Sequence, residues 1–245
     1  MTSTPDDVTH VPDTRHPGLV SRLLGVLFSP RQTFGAVVAR PRWLGALIVV
    51  ALTMAGARGW LVSTEVGQQA LLEQQVGAME SFGVTVSDEM YDQLAQGLDN
   101  ATYFTAGSVL VFIPLVTLIL AGVVWTVCYV LLGAHTPFRA MYAVVAHAGA
   151  VNIVQQLFVV PLNYTRGVMS NPTTLAVFFP MLETGTFAQR FLGMIDLFLV
   201  WQLMVLSIGV AVLYGRRTGP IAATFYTLYA VNAVVVSFVM IRIGG

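Results

Sequence analysis

Apolar positions along the chain gather into five long runs separated by polar flanks, a pattern that predicts helices crossing a bilayer. A spanning helix needs about 20 predominantly apolar residues, and such runs fall at 43–62, 103–132, 140–161, 191–214 and 219–243. The second, at about 30 residues and about 45 Å as ideal helix, exceeds the hydrocarbon core and must tilt, bend or project beyond it. Pro114, in VFIPLVTLIL, lacks a backbone donor and marks the place for a bend, read as an ordinary kink rather than a gating hinge. The fourth run, FLGMIDLFLVWQLMVLSIGVAVLY, is lipid-soluble throughout except for one carboxylate, Asp196, in its first two turns.

The flanks carry their own periodicities. Ahead of the first run, Leu19, Leu23, Leu24 and Leu27 recur at helical spacing, and Ser29-Pro30 supplies a cap and a first-turn proline. A second short helix is expected from Pro30 to about Ala39, with Phe34, Val37 and Val38 apolar, stopped before Pro41. These two helices have two placements open to them: on the inner membrane surface, or packed against the cytoplasmic end of the bundle. Residues 63–102 hold seven acids and no base. There Leu72, Val76 and Met79 form one helical stripe, and Met90 or Tyr91, Leu94 and Leu98 form another. Gly83 separates them, and Ser87 stands where it caps a helix opening with Asp88 and Glu89. The expectation is an acidic helical hairpin outside the membrane, its charges a solvated face rather than a cation site. Residues 162–190 form a second, less polar outer loop in which NPTTLAVFFPMLETG is apolar enough to dip into the interface. Residues 1–17 are polar and read as a disordered tail. The first long apolar run begins only at Trp43 and is taken as a retained span rather than a cleaved signal.

Composition agrees with the pattern. The 245 residues are 56% hydrophobic and 10% charged, with mean hydropathy +0.75, whereas soluble domains carry about a quarter charged residues. The fold class is therefore all-α, a polytopic membrane bundle of five spans, with residues 18–245 forming one membrane domain. All twelve basic residues are arginine, which reads as GC-rich coding bias and hints at a bacterium. With the N-terminus inside, eight arginines flank the cytoplasmic ends (Arg15, Arg22, Arg31, Arg40, Arg42, Arg139, Arg216, Arg217). Four lie on the other side, Arg58, Arg166, Arg190 and Arg242. The excess inside predicts a cytoplasmic N-terminus and an extracytoplasmic C-terminus.

Little points to enzyme chemistry. There is no Gly-x-Ser-x-Gly, P-loop, His-Glu-x-x-His or Cys-x-x-Cys. The single cysteine, Cys128, lies in an apolar run and reads as a small buried hydrophobe. His10 and His16 fall in the tail and His135 in an inner turn, and His147, within a span, reads as a packing histidine. Asn100-Ala-Thr102 and Asn163-Tyr-Thr165 match the glycosylation pattern, a three-residue match common by chance. The scattered arginines make no nucleic-acid surface, and no catalytic residue, cofactor or metal is implied.

What remains is a set of polar residues inside the spans, where ionisable groups are costly and normally face a partner or a cavity. Asp196 lies roughly 7–8 Å below the outer end of the fourth span, and Arg58 roughly 6 Å below that of the first, at 1.5 Å per residue. Asn152, Gln155 and Gln156 share one face of the third span; Gln202 and Asn232 sit deeper. The expectation is an outer-leaflet polar cluster of Arg58, Asp196, Gln155, Gln156 and Asn152, with Arg58 and Asp196 paired at its centre. Two roles stay open: fixing helix register, or receiving a polar ligand, lipid headgroup or proton.

Three pieces resemble the Yip domain family of five-pass membrane proteins, named for interaction with Ypt/Rab GTPases. They are SPRQTFGAVVARPRW, IDLFLVWQLMVLSIGVAVLYGRRTGP, and the five-span plan with a cytoplasmic N-terminus; together they cover residues 25 to 243. For eukaryotic members the resemblance implies trafficking scaffolds that bind Rab proteins on the cytosolic side. This chain has a short tail and lacks the Asp-Leu-Tyr-Gly-Pro motif. Those departures count against a Rab-type GTPase and point to the bacterial branch, hence the cytoplasmic (inner) membrane. The expected function is a non-enzymatic membrane scaffold or partner-binding protein, with lipids and a protein partner or a second copy as its company. The alternative is a small transporter or a lipid or solute conduit through the polar cluster. Asp196 and Gln202 lie about 120° apart around the helix, against a single polar stripe.

Overall fold

The computed structural model describes residues 18–81, 83–133, 136–183 and 185–243; the tail at 1–17, with His10 and His16, and also His135, lie outside the described residues. Eleven α-helices follow in order among them: α1 Leu19–Phe28, α2 Pro30–Ala39, α3 Leu44–Val62, α4 Glu65–Ser81, α5 Asp88–Gln96, α6 Ala101–Leu132, α7 Phe138–Ala148, α8 Ala150–Arg166, α9 Phe187–Met194, α10 Leu197–Tyr214 and α11 Thr218–Ile243. No sheet forms among the described residues, only an isolated antiparallel bridge between Thr174 and Asp196. Among the described residues five helical stretches are long and apolar enough to cross a membrane: Leu44–Val62, Asp88–Val130, Phe138–Arg166, Leu197–Tyr214 and Thr218–Arg242. The protein is a polytopic all-α bundle.

The bundle is organised around α7. Every residue from Ala140 to Val151 is buried, because α6, α10, α3, α2 and α1 all pack on this one helix. Its alanines let those neighbours approach closely, as small residues do between membrane helices. Gly149 joins α7 to α8, and a Cβ there would meet the carbonyl of Ala146 at 3.1 Å. α6 runs unbroken through Pro114 and exposes Val111, Phe112, Leu115, Val116, Leu118 and Ile119, a surface suited to lipid.

Between the two placements open to α1 and α2, packing against the bundle is the one observed. Phe34 and Val37 of α2 are wholly buried, as is Val26 of α1, and they join one core with Met141, Val144, Leu206 and Val210. Gly209 of α10 makes room for them: a Cβ there would lie 2.5 Å from Val144 Cγ1 and 3.0 Å from the Phe34 ring. The opposite face of α1 is apolar too, with Val20, Leu24 and Phe28 exposed, so α1 lies between the core and the surroundings of the bundle.

The fourth span departs from the sequence reading. The run 191–214 is two helices, α9 and α10, broken by extended backbone at Ile195 (φ −92°, ψ 101°) and Asp196 (φ −96°, ψ 130°). On the same side of the bundle, α4 and α5 fold on either side of Gly83 (φ +78°). The Ser87 hydroxyl caps α5 by accepting from the N–H of Met90 at 3.3 Å. α4 is pressed onto the end of α3, where a Cβ on Gly67 would overlap the Leu61 carbonyl.

Candidate functional site

The break before α10 creates the first half of the site. Free N–H groups at a helix N-terminus attract an anion, and Asp196 fills that position, its Oδ1 accepting from the N–H of Leu199 at 2.9 Å. The other oxygen, Oδ2, accepts from Asn171 Nδ2 at 2.7 Å, from the Thr173 hydroxyl in a short contact, and from Gln155 Nε2 at 3.3 Å. Extended backbone at 195–196 pairs with the loop before α9: Leu175 N–H donates to Ile195 O at 2.8 Å, and Leu197 N–H to Thr173 O at 3.0 Å. The Asp196 N–H donates to the Tyr229 hydroxyl at 3.0 Å, which donates in turn to Met194 O at 2.6 Å. Only 6% of Asp196 remains exposed.

Asp196 is thus held by neutral donors and a helix terminus, and the expected ion pair with Arg58 does not form. Arg58 is exposed and opens instead onto a neighbouring cavity. The physical reason lies in the break: once the helix starts at Leu197, four donors converge on the carboxylate without a cation. The asparagine and threonine of Asn171-Pro172-Thr173-Thr174, in the loop expected to dip into the interface, are the partners the sequence reading missed. Their signal was polarity crowded into an apolar loop. Tyr229 carried no such signal, since a tyrosine in a span reads equally well as packing.

The second half of the site is that cavity, about 310 Å³ in volume, between the end of α3, α8, α4 and the loop after α8. Arg58, Gln74, Thr105, Gln155, Gln156, Asn163, Ser170 and Asn171 supply its polar lining; leucines, valines and Met169 supply the rest. Gly167 (φ +64°) ends α8 in the left-handed region, and Val168 N–H returns to Asn163 O at 3.2 Å, which swings Ser170 and Asn171 over the cavity. Asn163 donates through Nδ2 to Ser170 O at 3.0 Å, while its Oδ1 is buried without a partner. With Asn163 only 7% exposed, the Asn163-Tyr-Thr165 pattern is no place for a glycan. Gln156 is 4% exposed, lines the cavity and makes no hydrogen bond among the described residues. Trp60 and Tyr164 lie against each other 5.6 Å apart beside it.

Of the five residues expected to cluster, four meet: Gln155 bridges the Asp196 knot and the cavity, and Arg58 and Gln156 line the cavity. Asn152 is partly buried and lines neither. Gln202 is partly buried in α10 and Asn232 exposed on α11. His147 is fully buried in α7, with Nδ1 2.8 Å from Ala143 O and Nε2 without a partner. Cys128 is buried as well. Among the described residues no three His, Cys, Asp or Glu side chains gather as metal ligands.

A family model, the Yip1 domain, matches residues 24–241. The chain belongs to the Yip1 domain family. The match runs from within α1 to within α11, so the Yip1 domain includes the packed α1–α2 pair, the break at Asp196 and the amide-lined cavity. No curated protein and no solved structure matches the chain. In this Yip1 domain the residues that stand out chemically form a neutral-donor knot and a polar pocket.

Proposed function

We propose that this Yip1-domain protein is a non-enzymatic scaffold of the bacterial cytoplasmic membrane, engaging a protein partner or a second copy rather than moving a solute. One observation supports this over a conduit: the polar lining ends partway through the bundle. Beneath the cavity, Val50, Met54, Ala55 and Val109 form an apolar cluster with Ala106, Ile113 and Ile153. A water-filled path needs polar groups or open space along its whole length, and a packed apolar layer supplies neither. The arginine excess favours a cytoplasmic N-terminus, which puts the Asp196 knot and the cavity in the extracytoplasmic half.

Two measurements test the reading. In sealed vesicles, protein-dependent flux of ions or small polar solutes sensitive to Arg58→Ala overturns the scaffold; no flux, with in-membrane crosslinking of the chain to itself or to one defined partner, supports it. For orientation, single cysteines at Ser63 and Arg217 in a Cys128→Ser background report sidedness. Impermeant maleimide applied outside intact cells is expected to label the first and spare the second.

A further inference from the structure

We propose that the cavity beside Asp196 binds the zwitterionic headgroup of an aminophospholipid, its phosphate on Arg58 and its ammonium toward the amide oxygens backed by Asp196. The inference stands apart from the scaffold reading. Depth is the first argument. Trp60 and Tyr164, in contact at 5.6 Å, together with Tyr103 and Phe104, 80% and 79% exposed, form an aromatic belt of the kind that sits at headgroup level. Arg58 lies half a turn below Trp60 and lines the cavity.

The two ends of the cavity have opposite character. Among the described residues Arg58 is the only charged one in the lining. It is exposed and makes no ion pair among the described residues, so its guanidinium is free to grip a phosphate through two parallel hydrogen bonds. At the other end, Gln155 and Asn171 turn their amide nitrogens to Asp196, at 3.3 and 2.7 Å. The Gln155 oxygen is left over as an acceptor, with a carboxylate immediately behind. That wall repels a second anion and favours a cation able to donate hydrogen bonds. Gln156, 4% exposed and lining the cavity, adds an amide that makes no hydrogen bond among the described residues, and Asn163 of the same helix and the same lining holds an amide oxygen, Oδ1, buried without a partner; an unpaired buried amide oxygen is costly enough to signal a missing ligand. Choline meets the site less well than ethanolamine, because it has no N–H and no aromatic ring lines the cavity to hold a quaternary ammonium. Leu71, Val159 and Met169, partly exposed, belong to the apolar part of the lining, a surface suited to the start of the acyl chains.

The test is native mass spectrometry of the full chain in detergent with equimolar phosphatidylethanolamine, phosphatidylcholine and phosphatidylglycerol of identical acyl chains. The expected result is retention of the ethanolamine lipid about tenfold over the other two, the difference one charge-assisted hydrogen bond makes. Arg58→Gln is expected to cut that retention about tenfold at unchanged thermal stability. Gln156→Leu is expected to shrink the preference over the choline lipid several-fold, with Arg166→Gln unchanged as the control for surface charge. Equal retention of the three lipids, or indifference to Arg58→Gln, overturns the proposal. Soluble glycerophosphoethanolamine that displaces the lipid at equal concentration overturns the membrane source of the ligand.

Discussion

Tyr229 of α11 closes the break between two helices that Asp196 opens. The tyrosine hydroxyl accepts from the Asp196 N–H at 3.0 Å and donates to Met194 O at 2.6 Å, so one oxygen satisfies the first unpaired donor of one helix and a late carbonyl of the other. Within a bilayer such groups have no water to turn to. Tyr229→Phe leaves both unmatched and is expected to destabilise the protein by about 1–3 kcal/mol. Thermal melting in detergent checks it, and hydrogen exchange should show faster opening of α9 with α3 unaffected.

The carboxylate itself should matter more. Asp196→Ala removes the cap on α10 and strands the donors of Asn171, Thr173 and Gln155. The expected loss is about 2–4 kcal/mol, a cap plus unsatisfied buried donors. Asp196→Asn keeps an oxygen for the Leu199 N–H but turns an amide NH2 toward the donors that Oδ2 accepts from; it is expected to cost about 1–2 kcal/mol, less than the alanine because the Thr173 hydroxyl and the Gln155 amide are able to rotate and accept. Equal losses for the two substitutions would mean that the charge, rather than the donor geometry, holds the break.

Arg58 and Asp196 should behave as independent sites. With no ion pair between them, Arg58→Ala is expected to change stability by less than about 0.5 kcal/mol, as at other exposed positions. The double variant Arg58→Ala/Asp196→Ala should then equal the sum of the singles to within about 0.5 kcal/mol. Recovery of stability in the double variant is the signature of a pair and would refute the observed arrangement.

The contrast between these residues shows what was legible in the sequence. Spans are written in long apolar runs because a bilayer leaves the backbone no alternative to helix, and Leu44–Val62 matches its run almost to the residue. Ser87 as a cap, too, is a local property, settled within four residues. The break at Ile195–Asp196 is different. Gly193 and a capping residue at Asp196 are only weak local signs inside an apolar run, and what stops the helix is a loop more than twenty residues earlier, Asn171 to Thr174. Arg58 and Asp196 share a depth, but depth is only one coordinate of a membrane helix. Which way each faces around its own axis depends on packing that no single span records. The cavity was legible in part for the same reason: Gln155 and Gln156 lie on one predicted face, whereas Gln74 and Asn171 come from segments whose docking only the fold reveals.

The packing of α2 rests on the absence of one methyl group. A Cβ on Gly209 would lie 2.5 Å from Val144 Cγ1 and 3.0 Å from the Phe34 ring, in a core where Phe34 and Val144 have no exposure and no space to retreat. Gly209→Ala is therefore expected to cost about 1–3 kcal/mol by overpacking. The strain falls on α2, a ten-residue helix too short to be a span itself, which should detach from α10 before the spans separate. Trypsin cleavage after Arg31 and Arg42, exposed on α2 and just beyond its end, measures that step and should accelerate in the variant. Phe34→Leu should restore part of the loss in the Gly209→Ala background, because it shortens the group the new methyl meets. In the parent, the same Phe34→Leu change only opens a void and should destabilise. The sign reversal between the two backgrounds is what ties the effect to this contact rather than to helix propensity. Gly67→Ala is the counter-case: the obstacle there is the backbone carbonyl of Leu61, so no side-chain trimming should rescue it. α4 would have to move off the end of α3, taking Leu71 and Gln74 away from the cavity they line.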